Sequence, residues 1–365
     1  MRRDDAYFME LADALGRAAA GDAAENPAVG CVIVKDGVVV GYGATAKGGR
    51  PHAEIEALLC AGALVEGSNV YVTLEPCSHF GKSPPCASAL IKAKPARVIY
   101  AALDPDVRVS GRGVAALRDA GIRVERMPFA PIPKGAEGFL LRRRTGLPHV
   151  TLKIAASTDG KTACASGDSR WITGDRARDF VHRLRAESDA VMIGGETARR
   201  DDPRLDCRLP GLQNRSPLRV ILNANADAIT ESSFSVHSSA TPTWIMKRPD
   251  AIPPSFAKKF PHLRYVSCPE IREGALDVKA ACEILAENGV NRLLVEAGGR
   301  LAAEFLRYHL WNDIYWFTAP VFVGSDGKSA YATPSPFLMA EARRLSLAKT
   351  LSFYPDFSFI FKNCV

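Results

Sequence analysis

The sequence predicts an α/β protein built as two domains. Three observations carry that prediction. The chain has 365 residues, more than one compact core usually organises. In both halves β-rich runs alternate with helical patterns, which implies sheets covered by helices. Between the halves, "MPFAPIPKGAEGFLLRRRTGLP" at residues 127–148 is dense in proline, glycine and arginine and breaks the alternation. The boundary falls near Thr145 to Leu147, giving domains of residues 1–145 and 148–365.

The first domain opens with a helix, read from the spacing of Phe8, Leu11 and Leu15. "AVGCVIVKDGVVVGYG" then places Asp36-Gly37 between two β-rich runs, the signature of a hairpin. A helix starts near Ala53, and a buried strand "NVYVTL" ends at Glu75. After a loop rich in Pro, Ser and Cys come the helix "CASALIKA", the strand "RVIYAAL", the helix "GVAALRDAG" and the short strand "RVER". The stretch after it, with its prolines, glycines and basic residues, reads as the exit from the domain. The second domain restarts with the strand "HVTLKIAAS" and continues with "AVMIGG", "LRVILNA", "TWIM" and "RLLVEAGG". Its close, "DIYWFTAPVFVG" and "TLSFYPDFSFIFKN", is rich in aromatic and β-branched residues and predicts late antiparallel strands in a mixed sheet. Those strands suit either pairing across a dimer or closure of the chain's own sheet.

Composition narrows the function classes. Hydrophobic residues make up 47% and charged residues 24%, which fits a folded globular protein and not a disordered or fibrous one. The formal charge of +7 is spread along the chain, apart from clusters such as Arg142 to Arg144, and suits phosphate-bearing small molecules at least as well as nucleic acid. Nine cysteines without a framework of regular spacings point to a reducing cytosol. No apolar run approaches the length of a membrane span, and the start carries no signal-peptide core.

The chemistry is concentrated in two short stretches of the first domain. "PHAEIEAL" sets His52 two positions before Glu54 at a helix start, and "EPCSHFGKSPPC" ends a strand in Cys77 and opens a helix at Cys86. One histidine and two thiolates can give three ligands to Zn²⁺ and leave the fourth position for water, the arrangement of a catalytic zinc site. A carboxylate beside the ligands, but not itself a ligand, can then move the proton, as in zinc deaminases. Both cysteines can sit near a helix N-terminus, which favours thiolates. Taken singly, each of these residues is more often a packed or solvated side chain. A structural zinc would want a fourth ligand, and Cys31, Cys60 and His79 are the candidates, none at ligand spacing. The cysteine spacing also departs from the usual Cys-x-x-Cys, since eight residues intervene.

At this point the sequence resembles a known family. "NPAVGCVIV", "PHAEIEAL", "EPCSHFGKSPPC" and "DPDVRVSGRG" are similar, in this order, to the deaminase domain of the bifunctional riboflavin-biosynthesis deaminase/reductases, whose zinc motif has this longer insert. "TLKIAASTDGKTA", "SRWIT", "GGETARRDDPRLDCR" and "LLVEAGGRLAAEF" resemble the reductase domain, so the likeness spans nearly the whole chain. It implies a cytidine-deaminase-like α/β/α domain followed by a dihydrofolate-reductase-like α/β domain. The first would remove the 2-amino group of a diaminopyrimidinone carrying a phosphoribosylamino group, using one Zn²⁺. The second would reduce the ribosyl side chain of the product to ribityl with NADPH.

By position, the resemblance makes His52, Cys77 and Cys86 the metal ligands and Glu54 the proton shuttle, while Asn26, His79, Lys82 and Asp104 hold the pyrimidine and its phosphate. Thr45 and Phe80 stand where such enzymes usually have histidine. In the reductase half it makes Lys153 the catalytic group. Ser169, Arg185, Leu205, Arg208 and Glu296 contact the substrate, and Arg208 and Arg185 suit its phosphate. Ala155, Trp171, Thr197, Asp201, Gly298 and Gly299 contact the cofactor, while Arg199 and Arg200 suit a 2′-phosphate. Gly298-Gly299 lies between a strand and a helix, where backbone N–H groups can approach an anion, although the Rossmann glycine pattern is absent. Asn223 replaces a frequent aspartate, and "STDG" replaces the usual "SLDG". The zinc motif alone would also allow a nucleic-acid-editing deaminase or a non-catalytic zinc module. The expected partners are small molecules, with neither nucleic acid nor membrane.

Overall fold

The computed structural model describes residues 3–78, 84–105, 110–127, 132–333 and 338–363. The chain divides into two compact units, Met1–Pro148 with Gly289–Asn291, and His149–Asn288 with Arg292–Val365.

The first unit runs α1 (Arg3–Ala18), β1 (Gly30–Lys35), β2 (Val38–Ala44), α2 (Ala53–Ala61), β3 (Asn69–Leu74), α3 (Cys86–Ala93), β4 (Arg97–Ala102), α4 (Arg112–Asp119), β5 (Arg123–Arg126) and α5 (Glu137–Thr145). Its sheet has the order β2-β1-β3-β4-β5. The β1–β2 and β1–β3 pairs are antiparallel, and β3–β4 and β4–β5 are parallel. The β1–β2 connection is the expected hairpin, with Asp36 and Gly37 both at positive φ (51° and 80°) as a two-residue turn of this hand requires.

Side chains along β1 alternate between two cores, as the period of a strand dictates. Cys31 and Ile33 pack with Ala57 of α2, Leu90 of α3 and Leu117 of α4. Val32 and Val34 pack on the other face with Phe8, Met9 and Ala12 of α1. The layers are therefore α/β/α. Buried Asp5 on α1 fastens one face to the sheet: it accepts from Tyr71 Oη at 2.7 Å and pairs with Arg97, which also donates to Glu125.

Helix α5 lies in the stretch read from sequence as the exit from the domain, where no helix was expected. Its nine residues carry Glu137 in the first turn and Arg142, Arg143 and Arg144 in the last, and Gly146 caps it in the left-handed region. Those are favourable helix ends. The surrounding prolines and glycines had masked them.

The second unit continues with β6 (His149–Ser157), β7 (Lys161–Ala163), α6 (Asp175–Ala186), β8 (Ala190–Gly194), α7 (Gly195–Asp201), β9 (Leu218–Leu222), α8 (Phe234–His237), β10 (Thr243–Lys247), β11 (Leu263–Ser267), β12 (Glu270–Arg272), β13 (Ala275–Leu276), α9 (Val278–Glu287), β14 (Arg292–Glu296), α10 (Gly299–Arg307), β15 (Asp313–Ala319), β16 (Lys328–Ser329), β17 (Ser346–Phe353) and β18 (Asp356–Lys362). Nine strands form one sheet in the order β11-β10-β9-β8-β14-β6-β15-β18-β17. It is parallel from β11 to β15, and antiparallel where β18 joins β15 and β17.

The central strands are buried on both sides, hence their unbroken apolar runs. The sheet is mixed, as the aromatic close of the sequence predicts, and those strands complete the chain's own sheet. β6 and β14 lie side by side in a register that sets Lys153 opposite Glu296. Among the described residues no helix is long and apolar enough to cross a membrane.

Candidate active sites

In the first unit the C-terminal ends of the parallel strands β3 and β4 lie along one edge of the sheet, where ligands of α/β proteins bind. β3 delivers Cys77 just beyond its end, and β4 delivers half-buried Asp104. His52 is the N-cap of α2, and Cys86 is the first residue of α3.

These elements bring His52, Cys77 and Cys86 together, their ligand atoms all within 4.8 Å of one another. His52 Nδ1 stands 3.3 Å from Cys86 Sγ and 3.6 Å from Cys77 Sγ. Tetrahedral zinc with ordinary bond lengths holds a nitrogen and a sulfur about 3.6 Å apart. The donor set and its spacing therefore fit Zn²⁺. Cys31 and Cys60 are not part of the cluster. His79, Phe80 and Lys82 lie outside the described residues.

The electrostatics suit a cation. The backbone N–H of Cys86, at the start of α3, donates to Cys77 Sγ at 3.3 Å. The Cys86 thiol, that N–H and His52 draw the Cys77 thiol down to about 4. Its partner Cys86 is pushed up, by its hydrogen bond to Cys77 first and then by burial. Glu54, in the first turn of α2, is 4% exposed. Burial, then the Cys77 charge, pushes its carboxyl up to about 7.

Two supports were not foreseen from sequence. Glu75, 3% exposed at the end of β3, accepts from Gly111 N at 3.0 Å and Val114 N at 3.4 Å, so it caps α4 and pins the strand end that carries Cys77. A Cβ on Gly113 would meet Pro76 O at 1.9 Å, so only glycine permits this approach. Thr45 Oγ1 accepts from Val29 N at 2.9 Å and donates to Pro27 O at 3.0 Å. Thr45 thus holds the backbone next to Asn26, a purpose unrelated to phosphate. Asn26 Nδ2 donates to Ala23 O at 3.3 Å, and its side chain packs against Gly49, close to His52 in the chain. The signal for Glu75 was a carboxylate closing an apolar strand, which cannot be buried without donors.

The second unit holds a cleft of about 1710 Å³. Its lining includes Lys153 and Ala155 from β6, Ser169 and Trp171 from the segment before α6, and Arg185 from α6. Thr197 and Asp201 from α7, Leu205 and Arg208 beyond it, Glu296, and Gly298 and Gly299 at the start of α10 complete the set of residues singled out from sequence. Arg185 forks onto Glu296, with Nε–Oε1 at 2.5 Å and Nη2–Oε2 at 2.9 Å, and its Nη1 donates to Asp206 O at 3.0 Å. Arg185 is thereby engaged in orienting Glu296, while Arg208, half exposed, pairs with Asp206 at 2.5 Å. Burial lowers the pKa of Lys153, with Glu296 opposing and Arg185 adding to the shift. Glu296 is itself held low: burial would raise it, but the charge and hydrogen bonds of Arg185, with Lys153, outweigh that.

Around this centre Trp171 is 70% exposed and carries the Arg178 guanidinium over its ring at 4.5 Å. Arg199 pairs with Asp227 at 2.8 Å, and Arg200 with Asp201 at 3.3 Å. Asn223 closes the turn after β9, accepting from Ala228 N at 2.8 Å and donating to Asp227 at 3.0 Å. His182 and Asp206, not singled out from sequence, link Arg185 to the segment before Arg208.

The two glycines of the turn differ in what they require. Gly298 has φ −76° and ψ 166°, open to any residue, and a Cβ there meets nothing within 4 Å. At Gly299 a Cβ would meet Ser329 O at 2.2 Å. Gly299→Ala is therefore expected to cost about 1–3 kcal/mol of stability by overpacking, read as a lowered thermal midpoint. Gly298→Val is expected to keep the parent midpoint while raising the KM for NADPH at least ~10-fold if the backbone N–H groups at the start of α10 receive the pyrophosphate, because Gly298 lines the cleft there.

Comparison with known proteins places both units. The profile of the cytidine and deoxycytidylate deaminase zinc-binding region matches residues 2–102, and that of the RibD C-terminal domain matches residues 148–359. The chain is 37% identical over 365 residues to the riboflavin biosynthesis protein RibD of Escherichia coli (strain K12), covering 96% of this chain and 97% of the relative. With its counterpart from Bacillus amyloliquefaciens it shares 37% over 329 residues, 87% of this chain and 85% of that one. Among solved structures it resembles Acinetobacter baumannii RibD, form 1, with a TM-score of 0.88, 34% identity and 99% of each chain covered. It also resembles a diaminohydroxyphosphoribosylaminopyrimidine deaminase/5-amino-6-(5-phosphoribosylamino)uracil reductase from Thermotoga maritima, with a TM-score of 0.86, 29% identity and 99% of each chain covered.

Proposed function

The chain belongs to the family of bifunctional riboflavin-biosynthesis deaminase/reductases, and on that premise we propose how its residues divide the two reactions. The cytidine-deaminase-like unit hydrolyses 2,5-diamino-6-(5-phosphoribosylamino)pyrimidin-4(3H)-one to the aminouracil and ammonia. The reductase unit, with NADPH, converts the ribosyl side chain of that product to ribityl. The observation that carries this reading is the presence of two complete constellations in one chain: the His52, Cys77 and Cys86 cluster beside Glu54, and the Lys153–Glu296 pair facing a separate cleft.

His52, Cys77 and Cys86 would hold zinc, which would supply the Lewis acidity that lets water ionise near neutral pH. Glu54 takes the proton from that water and returns it to the departing amino nitrogen, so that the leaving group departs as neutral ammonia. Asn26 offers a donor and an acceptor to the pyrimidine edge. Asp104, together with His79 and Lys82, completes the substrate contacts. In the second unit, NADPH supplies the hydride when bound. Lys153 delivers the proton to the heteroatom as C1′ of the open-chain sugar is reduced, and Glu296 keeps its ammonium paired in a buried setting. Ser169, Leu205 and Arg208 hold the substrate, with Arg208 on the phosphate and Arg185 orienting Glu296. Ala155, Trp171, Thr197, Asp201, Gly298 and Gly299 flank the cofactor.

Free thiols at the described cysteines suit a reducing cytoplasm, and the dispersed basic residues suit small phosphorylated substrates. The test follows NADPH absorbance in a Cys77→Ser variant. With the diaminopyrimidine supplied, NADPH oxidation is expected to stop, because the reductase waits for the deaminated ring. Supplying the aminouracil restores it. Rapid oxidation on the undeaminated substrate would reverse the proposed order.

A further inference from the structure

The reductase cleft rests on a segment of backbone that would not hold its shape unaided. After α7, Asp202 and Leu205 both adopt positive φ, 38° and 53°. Neither is glycine, and a bulky leucine in this region is an outlier that its surroundings must impose. What imposes it lies on β9. Arg219 is 1% exposed, the largest fully buried side chain among the described residues. Its Nε donates to Arg204 O at 2.8 Å, the carbonyl immediately before Leu205. The other end of the guanidinium is tied down by Ser238 O at 3.2 Å, Thr241 O at 3.0 Å and Ser238 Oγ at 3.0 Å. Arg219 and Arg204 also both stack on Phe234, at 5.6 and 4.8 Å, and the Phe234 N–H donates to the Asp202 carboxylate. Burying an arginine's charge is costly, and here its hydrogen bonds all go to backbone carbonyls and hydroxyls of Arg204, Ser238, Thr241 and Thr243.

The segment it holds leads directly to the reacting groups. Asp206 pairs with Arg204 at 3.2 Å and with Arg208 at 2.5 Å, and its carbonyl receives Arg185 Nη1 at 3.0 Å. Arg185 in turn forks onto Glu296, the partner of Lys153. We propose that Arg219 is a positioning residue for the reduction: from beneath the cleft, through the Arg204 carbonyl, it fixes residues 202–208 in the backbone that aims Arg208 at the substrate phosphate and sets the Asp206 carbonyl on Arg185. The inference rests on the reading of Arg208 as a phosphate contact.

The test is a double-mutant cycle on the full chain, with the aminouracil and NADPH as reactants. Arg219→Lys keeps the charge but cannot span Arg204 and Ser238 together. It is expected to raise the KM for the pyrimidine about 10-fold while kcat changes less than ~3-fold, with ammonia release from the first unit unchanged. A merely structural defect would instead lower kcat, by reducing the amount of active enzyme, at constant KM. In an Arg208→Ala background, Arg219→Lys should move KM less than ~2-fold further, because the group it aims is gone. Multiplicative effects of the two changes, or a normal KM in folded Arg219→Lys, overturn the inference. Should Arg219→Lys not fold, Phe234→Leu decides: a raised KM lost in the Arg208→Ala background supports the proposal, and a normal KM overturns it. A normal KM in Arg208→Ala alone would show instead that the substrate reading of the cleft is wrong, and the inference would fall with it.

Discussion

Glu54→Gln is expected to bind about one zinc per chain, as the parent does, and to release ammonia at least ~10²-fold more slowly. The side chain sits in the first turn of α2, two residues beyond His52, and the three ligand atoms are supplied by other groups. Glutamine preserves the shape of the side chain, but it carries no proton between water and the leaving nitrogen. Metal content by atomic absorption and ammonia release from the diaminopyrimidine check the two halves of the expectation. Near-parent ammonia release at full metal loading would remove Glu54 from the mechanism. NADPH oxidation on the aminouracil should be unaltered, since Glu54 lies in the other unit.

The reciprocal result is expected from Lys153→Ala: reduction falls at least ~10²-fold, while deamination proceeds at the parent rate. Lys153 stands opposite Glu296 in the sheet, and each lowers the cost of burying the other's charge. Removing the ammonium leaves Glu296 paired with Arg185 alone, so the fold should survive and the loss should lie in kcat. Lys153→Met, which keeps the apolar stem without the charge, should be as inactive as alanine, because the stem contributes no proton. Activity in folded Lys153→Met would transfer the proton-donating role to another group in the cleft. Loss of ammonia release in either variant would argue against separate sites.

How much of this was legible in the sequence follows from which interactions are local. Asp36-Gly37 between β-rich runs gave the hairpin directly, and the alternation of strands with helices gave sheets covered by helices. His52 and Glu54 share one helix start, and Cys77 and Cys86 flank one loop, so two short motifs sufficed to bring the zinc cluster into view. Helix α5 was obscured because its signals are short and embedded among prolines and glycines. The supports of both sites were less visible. Glu75 finds its donors at Gly111 and Val114, and Thr45 finds its own at Pro27 and Val29. Neither partner is marked in sequence, because a satisfied buried polar group looks like any other polar residue until the chain is folded. Arg219 in "LRVIL" likewise reads as an ordinary interruption of an apolar strand. At Gly298-Gly299 the motif was visible, but which glycine was sterically required was not, since that depends on Ser329, about thirty residues onward in the chain.

The Lys153–Glu296 register also limits how this sheet can change its length. β6 and β14 are interior strands, each hydrogen-bonded on both sides. Successive side chains on a strand point to opposite faces, so inserting one residue upstream in either strand would turn its member of the pair away from the cleft. Inserting two would restore the face but slide the group by about 6.6 Å, beyond the reach of its partner. The two strands can therefore gain or lose residues only in matched steps, or beyond the pair. Insertions and deletions that leave reduction intact should accumulate at the loops and at the β11 and β17 margins, and be absent from the N-terminal halves of β6 and β14.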